Sequence, residues 1–236
     1  MLGVDSVAVG PNANAIGKYA VAMGLGSVAN GNYSLAMGAG TKADERQAVA
    51  MGNNATVNGA GAYAMGTLSN ATGVAATALG GNAIANGKNA SALGVYANAT
   101  GLLATALGAV SIADGRSASA IGAHAKSIGS YSIAAGDDSV AKGERASAVG
   151  NLAKATGDST VAVGSLAQAR YTNSVALGAG SATEISLKEL EKKSVYTPFA
   201  SAAIAGKTPV GEVSIGSSGH ERRLTNVAAG GRPRMR

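Results

Sequence analysis

The chain has no cysteine, no tryptophan and a single phenylalanine in 236 residues, and aromatic residues make up only 3% of it. Without cysteine there is no disulfide framework and no thiol chemistry, which fits a protein that works outside the cytoplasm. With so few large side chains a wide interlocking core is excluded, because aromatics and leucine are what normally fill one. Any core must be thin and lined by small groups. No apolar run approaches the roughly 18 residues that cross a bilayer, and the start does not read as a signal peptide. If the protein is exported or anchored, those parts are expected outside this segment, which itself makes no membrane contact.

Charge of one sign is also scarce where it would matter. The formal net charge is +6, but up to Gly178 there are ten Lys and Arg against eight Asp and Glu, and beyond it nine against five. Half of the excess belongs to Arg232, Arg234 and Arg236 in the closing "RPRMR". A basic face for nucleic acid is therefore not expected, and the aromatic platforms on which single strands stack are missing.

Glycine, by contrast, is abundant: 35 residues. It recurs at 10, 24, 38 and every fourteenth position to 178, thirteen times without a slip. A second series falls midway, from Gly17 to Gly157, interrupted by Glu45 and Tyr171. Each repeat is thus two halves of seven residues, too short for a stable helix but enough for a strand of about four or five residues and a tight turn. Glycine at the turn supplies positive φ without a Cβ clash. Stacked coils about 4.8 Å apart predict a solenoid on the order of 60 Å long.

Two residues before every main glycine stands alanine: Ala8, Ala22, Ala36, Ala50, Ala64, Ala78, Ala92, Ala106, Ala120, Ala134, Ala148, Ala162 and Ala176. Four before it is always Ser, Ala or Thr. Strand side chains alternate, so these positions share one face, which is read as the interior. Directly before the main glycine come Val9, Met23, Met37, Met51, Met65, Leu79, Leu93, Leu107, Ile121, Ala135, Val149, Val163 and Leu177. This bulky stripe has no place inside its own coil. Left in water it would expose roughly 1,000 Å², above the 300–600 Å² usual for a soluble monomer. An obligate homo-oligomer of parallel rods is expected, of two, three or four chains. The second half-repeat is also small at alternate positions, while its outer face is mostly polar, as at Asn14, Lys42, Asn98, Lys126 and Lys154.

With these residues in view, "NSVALGAGS", Asn173 to Ser181, resembles the repeat of the YadA-like head of trimeric autotransporter adhesins, and "YSLAMGAGT" and "DSVAVGPNA" are looser copies. The resemblance implies a left-handed parallel β-roll over residues 1–182, a homotrimer with the stripe facing the threefold axis, and attachment to host cells or extracellular matrix from the bacterial outer surface. Residues 183–212 read as a head insert, with capping-box spacing at "SLKE" predicting a short helix over "LKELEKKS". Residues 213–230 resume with "VSIG" and resemble the family's neck, whose polar part matches Arg222, Arg223 and Asn226 and whose apolar part matches Leu224, Val227 and Ala228. Residues 231–236 read as a tail. Asn173 and Lys126 are taken as candidate ligand-surface positions.

The two histidines, His124 and His220, stand far apart along the repeat, and His124 reads as an ordinary surface residue. Asp137 and Asp138 form an acidic doublet within the repeats and lack the Gly-Gly-x-Gly-x-Asp pattern of calcium-binding rolls. "GAGSAT" has no G-K-[ST] after it, so no phosphate loop is expected. No enzyme, cofactor or metal follows. An ice-binding solenoid would need an even threonine ladder, and a β-helical acyltransferase would need hexapeptide periodicity. Neither fits; a spacer presenting other adhesive domains is the alternative.

Overall fold

A computed structural model describes residues 2–184 and 210–226. Among these, twenty-six strands, β1 to β26 in chain order, are present and no helix. The predicted insert helix, together with Val227, Ala228 and the tail, lies outside the described residues. Each coil pairs a three-residue strand, such as β17 (Ser119–Ile121), with a two-residue one, such as β18 (Lys126–Ser127). Both are shorter than the four or five residues expected, because four of every seven residues form a β-turn.

The odd-numbered strands and β26 build a fourteen-stranded sheet, and β2 to β24 of the even series a twelve-stranded one. Every ladder is parallel and steps by one repeat: Ala8 pairs with Ala22, Ala22 with Ala36, and Ala162 with Ala176. Beyond residue 184 the chain returns as β26 (Val213–Ser214) and lies beside β25 (Val175–Leu177), with Val175 opposite Val213. The fold is an all-β parallel solenoid whose stacking resumes after the interruption.

Four small side chains per coil fill the interior, for example Ala118, Ala120, Ala125 and Ser127, all fully buried. The alanines from Ala22 to Ala176 two residues before each main glycine are buried in the same way, and Val57 is the largest apolar side chain inside. Most interior hydroxyls, Ser34 excepted, find acceptors nearby in their own coil: Thr41 Oγ1 donates to Gly38 O at 2.9 Å and Ser111 Oγ to Gly108 O at 2.8 Å. Such donation removes most of the cost of burying a hydroxyl in a space too narrow for water.

The turns differ from expectation in where the left-handed residue sits. In most half-repeats the small residue that closes the turn donates its N–H to the carbonyl three back, as Ala20 does to Gly17 and Ala48 to Glu45. Positive φ falls on the residue between them, from Asp5, Asn12 and Tyr19 through to Gly180 in steps of seven. Only four of these twenty-six positions, Gly26, Gly40, Gly61 and Gly180, are glycine. The rest include Leu68, Leu103 and Val110, for which the left-handed region costs about 1–2 kcal/mol each. What holds them is a bond between coils: the N–H of Tyr33 donates to Lys18 O at 2.8 Å, and that of Val110 to Val95 O at 2.9 Å.

Both glycine series sit where successive backbones touch, and the main series adds a positive φ. Gly108 has φ 134°, as expected of a turn glycine. Gly101, from the midway series, is not left-handed; a Cβ there would lie 2.1 Å from Gly115 O in the next coil. Midway glycines are small because successive backbones touch. Gly101→Ala is therefore expected to destabilise the head by roughly 1–3 kcal/mol, and Val110→Asn to stabilise it by about 0.5–1 kcal/mol, since asparagine tolerates the left-handed region. Thermal unfolding of the two variants checks both signs; a harmless Gly101→Ala would contradict the close-contact role.

Candidate functional site: the outer faces and the C-terminal end

The first sheet turns its apolar stripe outward along the whole solenoid. Met23, Met65, Leu79, Leu107, Ile121, Val149 and Leu177 are 40–49% exposed in the single chain. Met37, Met51, Leu93 and Val163 are half-buried among their neighbours in the column. At the N-terminal end the stripe is two columns wide, because Val7, Val21, Leu35, Val49 and Tyr63 stand beside it; from Thr77 to Ser119 that second column is Thr or Ser.

The second sheet presents polar columns. Asn30 Nδ2 donates to Asp44 Oδ1 at 2.6 Å, and with its amide turned Asn58 donates to the other Asp44 oxygen at 3.2 Å. Thr72 Oγ1 lies 2.7 Å from Asn86 Oδ1, and Thr100 Oγ1 donates to Asp114 Oδ1 at 2.5 Å. Each pair is one repeat apart and lies one residue past the strand ends, so side chains at the same place in successive coils bind one another much as cross-strand pairs do. This column was not singled out from the sequence; reading residues fourteen apart as neighbours would have found it.

The turn edges carry the exposed rings. Tyr19 and Tyr33, both in the left-handed position, stack with centroids 5.2 Å apart, and Lys18 Nζ lies 4.8 Å over the Tyr19 ring. Lys126 is exposed on the second sheet, whereas Asn173 is exposed on a turn (φ 60°) with its N–H donating to Asp158 O at 3.0 Å. The structure does not bring these two candidate ligand positions together. It does bring together His124 and Asp137, which sequence reading left as separate surface residues.

At the C-terminal end Arg222 folds back onto the last coil. Its guanidinium donates to Ile215 O at 2.7 Å, to Ser181 Oγ at 3.0 Å and to Ala179 O, and it packs against Gly178, where a Cβ would stand 3.3 Å from it. Carbonyls that have no further coil to bond thereby gain a charged donor. Arg223 and Leu224 are exposed, and Asn226 is left-handed at φ 59°. Nearby, Gly219 N–H donates to Glu221 Oε1 at 2.9 Å. Bonds from the backbone N–H of Glu221 itself and of Gly219 hold the Glu221 carboxyl below its usual range.

A family model, the YadA head domain repeat (2 copies), matches eleven overlapping windows that cover residues 2–125 and 127–181. The chain belongs to the YadA head family. Among solved structures, the crystal structure of the collagen-binding domain of the Yersinia adhesin YadA is similar over 98% of this chain and 92% of that one, at 24% identity and a TM-score of 0.32. No curated protein matches the chain.

In this YadA head Arg222 has the most hydrogen-bond partners of the described residues that follow β26, so Arg222→Ala should lower the thermal midpoint. The expected loss is about 2–4 kcal/mol for three charge-assisted bonds, while Arg223→Ala, on the exposed neighbour, should change little. Equal effects of the two would contradict the capping role.

Proposed function

We propose that this chain is the head of a bacterial surface adhesin, a homotrimer that holds host-surface or extracellular-matrix molecules through many weak contacts along its length. The observation that carries the reading is the pairing of one continuous apolar stripe with repeated polar faces. Eleven seam residues, Met23 to Leu177, face outward from the coils, and no other described part of the chain covers them. Buried side chains of this size contribute about 1.5–3 kcal/mol each. The chain's main apolar burial thus belongs to the joint between protomers, and the second sheet and turn edges are left to face the ligand.

Near-identical surfaces recurring every fourteen residues favour an extended, repetitive ligand, such as a collagen-like fibre. Contacts made many times at low individual strength raise avidity by roughly 10²–10⁴ over one contact, with no deep pocket. The neighbouring family structure is titled a collagen-binding domain, which names the first matrix protein to try.

Ile121→Asp places several carboxylates in one apolar joint, where an unpaired buried charge costs several kcal/mol. It is expected to dissociate the assembly or lower its melting temperature sharply, while Lys154→Asp, exposed on the second sheet, leaves both unchanged. An Ile121 variant as heat-stable and as large as the parent would remove the joint from this face.

Ligand binding is tested on immobilised matrix proteins with a head lacking residues 67–94, two whole repeats. The expected result is an intact assembly with apparent affinity reduced severalfold, and single substitutions such as Lys126→Ala or Asn173→Ala weakening it less. Unchanged binding would make the repeats a spacer. Complete loss from one substitution would replace distributed contact by a single site.

A further inference from the structure

One group of side chains on the turn edge has no part in the stripe, the polar columns or the C-terminal cap. His124 occupies the left-handed position of one main turn (φ 55°), and Asp138 occupies the same position one repeat later (φ 54°). Asp137 precedes it in that turn, with Oδ1 3.8 Å from His124 Nδ1. One ligand atom from each of the three residues lies within 4.8 Å of the other two. Both turns are pinned to the coil before: His124 N–H donates to Ala109 O at 2.9 Å, and Asp138 N–H to Ala123 O at 3.0 Å. From the coil after, Asn151 Nδ2 donates to Asp137 O at 3.3 Å.

We propose that His124, Asp137 and Asp138 form a binding site for one divalent transition-metal ion per chain, of the zinc, cobalt or nickel class. The imidazole decides the class. Two carboxylates alone suit calcium or magnesium, which take oxygen ligands, whereas one imidazole with two carboxylates suits the borderline metals. The two adjacent carboxylates repel, and among the described residues the only ion pair they make is the one with His124; a dication neutralises both and takes the imidazole lone pair. Metal–ligand bonds of about 2.0–2.2 Å bring neighbouring ligand atoms to roughly 3–3.5 Å. The three side chains are exposed and close that gap by rotation, while the stacked turns fix their Cα positions. Three protein ligands leave coordination positions open to water, or to a carboxylate of a second molecule. The site does not depend on the adhesin reading.

The test is a titration of the whole chain with cobalt(II) chloride followed by visible absorbance, and with zinc(II) chloride by calorimetry. One ion per chain is expected. His124→Asn keeps a residue that accepts the left-handed turn but removes the imidazole; it and Asp138→Asn should each weaken binding at least about 10-fold. His220→Ala should leave binding unchanged, and excess calcium should not displace the ion. The proposal is overturned by no saturable binding, by His124→Asn binding like the parent, by loss in His220→Ala instead, or by displacement with calcium. Circular dichroism of each variant separates loss of the site from loss of the fold.

Discussion

Everything in this head follows from how closely its coils stack. A repeat of fourteen residues leaves three and two residues for the strands of each coil, and the space between them admits four small side chains. Backbones touch where the midway glycines fall, so that a single methyl at Gly101 meets the carbonyl of the next coil. In return, strands and turns alike are hydrogen-bonded from coil to coil, and these bonds hold more than twenty residues other than glycine in left-handed conformations. The energy of the fold is therefore mostly between repeats, as in other solenoids, and the interior contributes little apolar area of its own.

A chain built this way must find its hydrophobic burial elsewhere. The large aliphatics are placed outside, in a column that runs the length of the first sheet, while hydroxyls and alanines occupy the inside. On the proposed reading one face then serves assembly and the others stay free. The ends need separate treatment, since a parallel stack leaves unpaired groups at its last coil; Arg222 supplies donors there, and β26 adds one more rung after the interruption. A rod with one joining face and repeated free faces suits adhesion through many weak contacts better than chemistry in one pocket.

The alanine column and the aliphatic stripe were legible in the sequence because each is a strict period-fourteen series whose residue type is dictated by space. The resumption at "VSIG" was legible for the same reason, and Val213 does lie opposite Val175. The left-handed series was not. Asn, Asp and Gly hold eleven of its twenty-six positions, but Tyr, Leu, Val, His and Arg hold others, since an inter-coil hydrogen bond enforces the turn on residues that do not favour it and blurs the pattern. Gly101 and its series were visible but given the wrong reason, as steric contact and positive φ leave the same letter in a sequence. The pairing of His124 with Asp137 was hidden because it joins residues thirteen apart along the chain and neighbours only across coils.

Sedimentation equilibrium of the unmodified head over a wide dilution range asks most directly whether the apolar burial lies between chains. A single species of three times the 22.7 kDa chain, about 68 kDa, that persists on dilution until it unfolds is expected. A folded, heat-stable 22.7 kDa monomer, with the stripe from Met23 to Leu177 left in water, would contradict it.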